Sequence, residues 1–519
     1  MNKKIPKIKD RYAFIIGMLL SLLVCLGIFF YYGQKKEIMF CDEVYTYTVA
    51  NVHGVHIAVR DNKWYVEEEM DKRFSSLEGY NFRDVRMGTG NDMSPPIYYN
   101  SFKAVAATFP TSTSKWLGFG TNLISFIPLL IILYWGIWKI TKNSLIASAF
   151  TVLLGVNPGM QGIALLIRMY MLFTFWLLIF FKQTEVMYSK NRKLLFYAGV
   201  GINTFFGFMT QYYYAIYVAL FSAFFLLDKM LKKDWKQIFA YLGAMVAAVA
   251  AATLYFPQWI KHIFETDKGS SSFTAVTDWS NIGQEVLEAF EQIGKFVIPN
   301  SSILYWILLI VISSSFFLIK SEEIAHVKKN YAIHLTVQTL YYCIIAHVMP
   351  TLETRYFWAV IMLQCMMMLH MLAYVIKYRN ALGSKKAAAI LVGIAIIYAA
   401  LFPQRMKFIP YHGAEYKEGR LIMEEYSQTP WIIYGEKDWI LHCTAFDFLI
   451  PEQLKFHTDT STMEYDEMLA DRKEFVLYVR SEEHLNVVLG KIAELYGREW
   501  QAEKLAARSY NDAYLITLE

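Results

Sequence analysis

The chain has 519 residues, 55% of them hydrophobic and 17% aromatic, with a net charge of +5. That composition excludes an ordinary soluble globule of this length, and the excess positive charge lies mostly in short basic loops between apolar runs, which makes no case for nucleic acid. The five cysteines, Cys25, Cys41, Cys343, Cys365 and Cys443, are scattered and show no metal or redox spacing.

Apolar runs of roughly 17 to 25 residues are long enough to cross a bilayer as helices, and about eleven occur along the chain. The first covers residues 12–32. It is too long for a removed signal peptide and no small-residue cleavage site follows it, so it reads as a retained helix. A long loop, 33–115, comes next and opens with FCDEVYTYTVAN, in which Asp42 and Glu43 are adjacent. Within it, DNKWYVEEEMDKRFSSL mixes charged with aromatic and aliphatic residues in the pattern of a helix lying on an interface. Further on, Asp92 precedes SPPIYYNSFKAVAATF, where Ser94 as N-cap and Pro95 at the first helical position predict a helix start. Spans then follow at 117–138, 144–156, 162–181, 194–210, 212–227 and 238–256. A second loop, 258–300, leads to spans at 303–319, 331–349, 356–376 and 387–401. The tail, 403–519, alternates short apolar strands, WIIYG and EFVLYV, with amphipathic segments such as EEHLNVVLGKIAELYG, and predicts a small α/β domain. The expected fold is therefore an all-α polytopic membrane protein, residues 1–402, with a C-terminal α/β domain, residues 403–519.

Lysine and arginine mark cytoplasmic loops. Lys3, Lys4, Lys7, Lys9 and Arg11 precede the first run, and every second connection after it is basic, while those around Asn157, Gln211 and Thr351 carry almost no positive charge. The N-terminus is predicted inside, and both long loops and the tail outside, most simply at the cell (plasma) membrane. Cys41 and Cys443 then share the outer side, but two cysteines alone fix no pairing geometry.

Charged groups in or beside hydrocarbon are costly and usually face a cavity or a partner. Asp42, Glu43 and Asp92 belong to the first outer loop. Arg168 and Tyr170 fall in the outer half of the fourth run, with Arg168 roughly 10 Å from its end at 1.5 Å per residue. Tyr212 and Tyr213 open the sixth span, and Glu353, Arg355 and Tyr356 the tenth. These positions are expected to converge on one outer cavity. Taken singly, each has a plainer reading: solvated loop acids, a turn aspartate, a snorkelling arginine and an aromatic belt.

Together the acidic pair after the first helix, NDMSPPIYY, IRMYML and ETRYFW resemble, in order and placement, the GT-C superfamily of integral-membrane glycosyltransferases. Within it they are most similar to the dolichyl-phosphate-mannose protein mannosyltransferase and aminoarabinose transferase group. The resemblance spans about residues 12–376. It departs at Ser94, where relatives often have His, and the tail carries no family motif. It implies transfer of a sugar from a polyprenyl-phosphate donor to an acceptor hydroxyl on a glycan, lipid or protein. Catalytic roles fall on Asp42, as base, with Glu43 and Asp92 orienting the acceptor or holding a divalent cation. Donor binding falls on Arg168, Tyr170, Tyr212, Tyr213, Arg355 and Tyr356, the arginines neutralising phosphate charge. No cofactor is certain, and the acidic residues leave room for a divalent metal ion. Two alternatives stand beside this reading: a lipid or sugar transporter or flippase, which the lack of an internal repeat disfavours, and a non-catalytic polysaccharide-assembly subunit.

Overall fold

The computed structural model describes residues 8–37, 39–51, 59–75, 81–111, 113–189, 194–265, 280–298, 301–349, 354–379, 384–401, 414–435, 445–508 and 511–518. Glu353 and Cys443, and with Cys443 any pairing to Cys41, lie outside the described residues. The chain divides into two compact units, one of residues 1–31, 93–98 and 119–408, the other of residues 32–92, 99–118 and 409–519.

Helices dominate the first unit, and each predicted apolar run is covered by a helix or by a broken pair of helices. Five are individually long and apolar enough to cross a membrane: Arg11–Lys35, Lys115–Thr141, Tyr213–Leu231, Trp235–Tyr255 and Trp358–Arg379. The number rises to seven if each of two bent pairs counts as one span. Leu195–Phe208 and Ala389–Tyr398 are apolar but shorter, and Ala325–Val348 is long but carries more polar side chains. His334 on Ala325–Val348 is hydrogen-bonded to Thr184 (2.7 Å) and to Tyr217 (2.7 Å), which ties three helices together in a buried polar chain. The protein is thus a polytopic membrane protein, as expected.

The fourth predicted run is not one helix. A short helix, Pro158–Ala164, starts at Asn157, whose side chain caps it, with Pro158 in the first turn where a missing N–H costs nothing. It bends by 65° from the preceding Ser144–Gly155. Residues 165–169 are then irregular, and a second helix, Tyr170–Ser189, begins after them. Arg168 therefore sits at a break in the backbone and not inside a helix.

A six-stranded sheet forms the core of the second unit, in the order β1 (Trp64–Val66), β3 (Gln453–His457), β2 (Trp431–Tyr434), β4 (Glu474–Val479), β6 (Asp512–Leu518), β5 (Trp500–Ala507). β2 runs parallel to both β3 and β4, and the remaining pairs are antiparallel. Ile432, Leu477, Val479 and Ile516 pack with Leu485, Val488 and Ile492 from the helix Glu482–Tyr496. That helix is capped by Ser481 and ends at Gly497 in the left-handed region, φ 64°. The tail is the α/β domain its sequence predicts.

Two expectations for the first loop are corrected. Residues 64–66 are an edge strand followed by a short helix, Glu67–Asp71, and not one interfacial helix. Tyr65 pairs with Leu454, the Trp64 indole donates to Asp466 (2.7 Å), and Asp61 accepts from Thr458. Residues 32–92 and 99–118 consequently group with the tail, so a boundary at residue 402 does not separate the compact units. The helix after Asp92 begins at Ile97, with Ser94, Pro95 and Pro96 all outside it. A residue before proline is pushed out of the helical region, and here that holds for both Ser94 and Pro95.

Candidate active site

Asp42 and Glu43 are in the first turn of the helix Cys41–Asn51, where carboxylates meet the positive end of the helix dipole. Their surroundings differ. Glu43 is 0% exposed and forms an ion pair with Lys36, itself 1% exposed. Its second oxygen accepts from the Phe40 backbone N–H (2.9 Å), while the Phe40 carbonyl accepts from the Glu43 N–H (2.8 Å), so the side chain closes the turn that starts the helix. Burial pulls the Lys36 ammonium below its usual range, and the Glu43 carboxylate opposes that shift. Asp42, one residue earlier, remains partly exposed.

Lys115 and Lys103 fix the flanks of this helix. The Lys115 ammonium donates to the Gln34 (3.1 Å) and Lys36 carbonyls, and Lys103 to the Asn51 side chain (3.2 Å). Tyr47 donates to the Ser114 carbonyl (2.9 Å), and its ring meets Phe446 of the tail edge-on at 5.1 Å. Burial, with the Glu43 charge nearby, raises the Tyr47 phenol far above its usual value, so it stays protonated as a donor.

Asp92 ends the helix Phe82–Asp92 and accepts from the Tyr99 hydroxyl (2.9 Å). This helix packs on Cys41–Asn51 at Gly88, where a Cβ would lie 2.3 Å from the Val49 carbonyl oxygen. The two helices bearing the three acidic residues therefore touch within one unit. A metal site does not follow. Glu43 is committed to Lys36, and among the described residues no three His, Cys, Asp or Glu side chains are grouped as ligands. Of the three acids, Asp42 and Asp92 are the ones left to hold a divalent cation, which would need donor phosphate oxygens as further ligands.

The basic and aromatic residues belong to the membrane unit. Arg168 is 8% exposed and stands two residues before the N-terminus of the 20-residue helix Tyr170–Ser189. Arg355 and Tyr356 lie in a short 3-10 turn, Thr354–Tyr356, ahead of the helix Trp358–Arg379, so they precede that helix where the sequence placed them at its start. The Arg355 guanidinium lies over the Tyr356 ring, 5.5 Å from its centre. Tyr356 in turn meets the Tyr213 ring edge-on at 5.1 Å, and Trp358 meets Tyr170 at 5.8 Å. Four of the six expected donor-binding residues, Tyr170, Tyr213, Arg355 and Tyr356, are thus brought to one short segment, with Arg168 beside Tyr170 in the chain. Tyr212 points elsewhere, to His262, with an O–N distance of 2.8 Å.

Two residues were missed from sequence. Lys36 reads there as one more loop cation, and its partner seven residues on is recognisable only in space. Asn122 is a buried polar residue inside an apolar run, as Asn203, His334, Gln338 and Gln364 also are, and hydropathy does not single it out.

No family model matches the chain, and no curated protein matches its sequence. Its fold is similar to that of solved structures. ArnT from Cupriavidus metallidurans bound to undecaprenyl phosphate matches with a TM-score of 0.53 at 10% identity, over 96% of this chain and 97% of ArnT. The archaeal oligosaccharyltransferase AglB from Archaeoglobus fulgidus, in complex with an inhibitory peptide and a dolichol-phosphate, matches at 0.45 and 10% identity, over 86% of this chain and 65% of AglB. ArnT in the apo state matches at 0.38 and 9% identity, with the same coverage as the lipid-bound form. Of the three, lipid-bound ArnT exceeds 0.5, and it shows the fold: this chain has the same overall fold as ArnT. At 10% identity no residue role passes from one chain to the other.

Proposed function

We propose that this protein is an integral-membrane glycosyltransferase that moves a sugar from a polyprenyl-phosphate donor to an acceptor hydroxyl on the outer side of the membrane. One observation carries the assignment of the base. Of two adjacent carboxylates, Glu43 is sequestered with Lys36, and Asp42 is the one with access to solvent at the helix start. Asp42 takes the acceptor proton as the acceptor oxygen attacks the anomeric carbon. The bond from that carbon to the phosphate oxygen breaks on the opposite face, so the configuration inverts and polyprenyl phosphate leaves with the electron pair. A phosphate leaving group of low basicity needs no general acid.

The growing phosphate charge falls to Arg168 and Arg355. Arg168 stands before a long helix whose first N–H groups and dipole also favour an anion, and arginine matches phosphate geometry. Tyr170, Tyr213 and Tyr356 frame that end of the bundle. Asp92 is assigned to acceptor orientation, and Glu43 to holding the turn. The undecaprenyl phosphate bound by ArnT supports a lipid-phosphate donor, given the shared fold. Mannose is the finer proposal for the sugar, taken from the sequence resemblance.

The test is transfer from a panel of radiolabelled polyprenyl-phosphate sugars in membranes carrying the intact protein or its Asp42→Asn variant. Label reaching an acceptor with the intact protein alone, at equal abundance of both, is the expected result and names the donor. Transfer by the variant at the intact rate removes Asp42 as base, and no transfer from any donor removes the enzyme reading.

A further inference from the structure

We propose that Asn122 is a positioning residue for the donor-phosphate site and acts through Arg168, an inference that rests on the phosphate role assigned to Arg168 above. Asn122 lies in the apolar helix Lys115–Thr141 and is 0% exposed. Its side-chain amide donates to two carbonyls, Ala164 (2.9 Å) and Leu166 (2.6 Å), and its oxygen accepts from the Tyr98 hydroxyl (3.2 Å). The two carbonyls lie at the end of the helix Pro158–Ala164 and inside the irregular segment before Tyr170–Ser189. Every residue from Met160 to Tyr170 is buried.

Irregular backbone in an apolar bundle survives only where its freed polar groups find partners within the protein. Helix ends leave carbonyls without intrahelical acceptor duty, and Asn122 supplies donors to two of those nearest the break. One side chain thereby holds the chain out of helical register from Leu165 onward. Arg168 is two residues past the second of these carbonyls, and its own N–H donates to the Leu166 carbonyl (2.7 Å), so the same oxygen serves both. The tyrosine on the other side of Asn122 comes from the SPPIYY motif, whose Ile97 N–H is itself fixed to the Met209 carbonyl (3.0 Å). That motif thus bears on the donor arginine through Asn122, a link that spacing along the chain does not reveal.

Removing the amide takes this donor from the buried Ala164 carbonyl and leaves the Leu166 carbonyl with the Arg168 N–H. The segment then relaxes toward continuous helix, and the Arg168 guanidinium moves with it. The experiment measures donor and acceptor KM, and inhibition by the product polyprenyl phosphate, for Asn122→Ala, Arg168→Ala and the double variant, each at matched abundance. Donor KM is expected to rise roughly tenfold or more in Asn122→Ala, with weaker product inhibition and an unchanged acceptor KM. The double variant is expected to be no worse than Arg168→Ala alone. Effects that multiply in the double variant, or an unchanged donor KM in Asn122→Ala beside an impaired Arg168→Ala, overturn the inference. An unchanged donor KM in Arg168→Ala overturns the phosphate role instead. Should Asn122→Ala fail to accumulate, Tyr98→Phe removes one bond to the same amide without opening a cavity. It is expected to shift donor KM in the same direction by a smaller factor and to add nothing to Arg168→Ala, and multiplicative effects there overturn the inference equally.

Discussion

Asp42 and Glu43 are chemically near-identical neighbours that the fold puts to different uses. Adjacent positions on a helix point about 100° apart, so one carboxylate turns inward to Lys36 while the other keeps contact with solvent. Removing one partner of a buried pair strands the other charge, which typically costs about 3–5 kcal/mol. Glu43→Gln and Lys36→Met are each expected to destabilise the protein on that scale, whereas Lys36→Met combined with Glu43→Leu recovers most of it, as thermal unfolding in detergent will show. A double variant as unstable as the singles would mean that the pair is not the source of the loss. A second titrating residue lies in the tail. Burial, reinforced by Lys455, pulls the His457 imidazole down to about 4, so the folded domain holds it neutral. Between pH 6.5 and 4 the unfolded chain binds more protons than the folded one. Stability is therefore full above about 6.5 and falls as the pH drops toward 4, by up to about 3 kcal/mol. His457→Gln is expected to flatten that slope in unfolding followed against pH. The acidic pair was legible in sequence because two adjacent acids soon follow the first apolar run. Their separate fates were not, since Lys36 is distinguished from the other loop lysines only by where the turn puts it.

At the level of elements, the strands WIIY and EFVLYV of the tail and the helical, polytopic character of the rest follow from apolar periodicity, while the count of about eleven spans compares with five to seven helices long and apolar enough to cross a membrane. Departures occur where a segment's partner decides its state. WYV at residues 64–66 alternates well enough for a strand, but a three-residue strand is stable only beside another, and β3 provides it from nearly 400 residues away. IALLIRMYML reads as continuous helix by hydropathy, and it breaks because Asn122 and the proline-started helix before it satisfy a different backbone path. The contact between the helices that carry Asp42 and Asp92 turns on Gly88. Its replacement by alanine puts a methyl carbon against backbone, not against a side chain that can rotate away. Gly88→Ala is expected to cost about 1–3 kcal/mol and to lower transfer with membrane insertion intact. Wild-type transfer and stability in that variant would show that the contact is loose.

Over the whole molecule, basic residues alternate between successive connections, and on that basis we propose the N-terminus inside and the tail outside. In a cysteine-free background, single cysteines at Arg192 and Lys473 are expected to react with a membrane-impermeant maleimide from opposite sides of sealed vesicles, the second from outside. Labelling of both from one side would reverse or void this topology and, with it, the side on which transfer is placed. The acids Asp42 and Asp92 also bear on the proposed transfer. With Glu43 committed to Lys36, transfer is expected to persist in excess chelator, and its loss, restored by a divalent cation, would place that cation on Asp42 or Asp92 together with donor phosphate oxygens.

Sequence by itself determined that this is a polytopic membrane protein with a small α/β tail, and it drew attention to the acids, the arginines and most of the aromatic residues around them. Those features are local sums: hydropathy over some twenty residues, alternation over five, charge beside an apolar run. Tertiary structure decided which acid is buried, where the fourth run breaks, and that the first loop lends a strand to the tail's sheet. Each depends on a partner distant in the chain, Lys455 and Leu454 for the loop strand and Asn122 for the break, or, for Lys36 and Glu43, on a turn whose closure brings two charges together out of water. The energy that settles such choices is desolvation of polar groups that must be matched, and it is fixed only once the matching groups have been brought together.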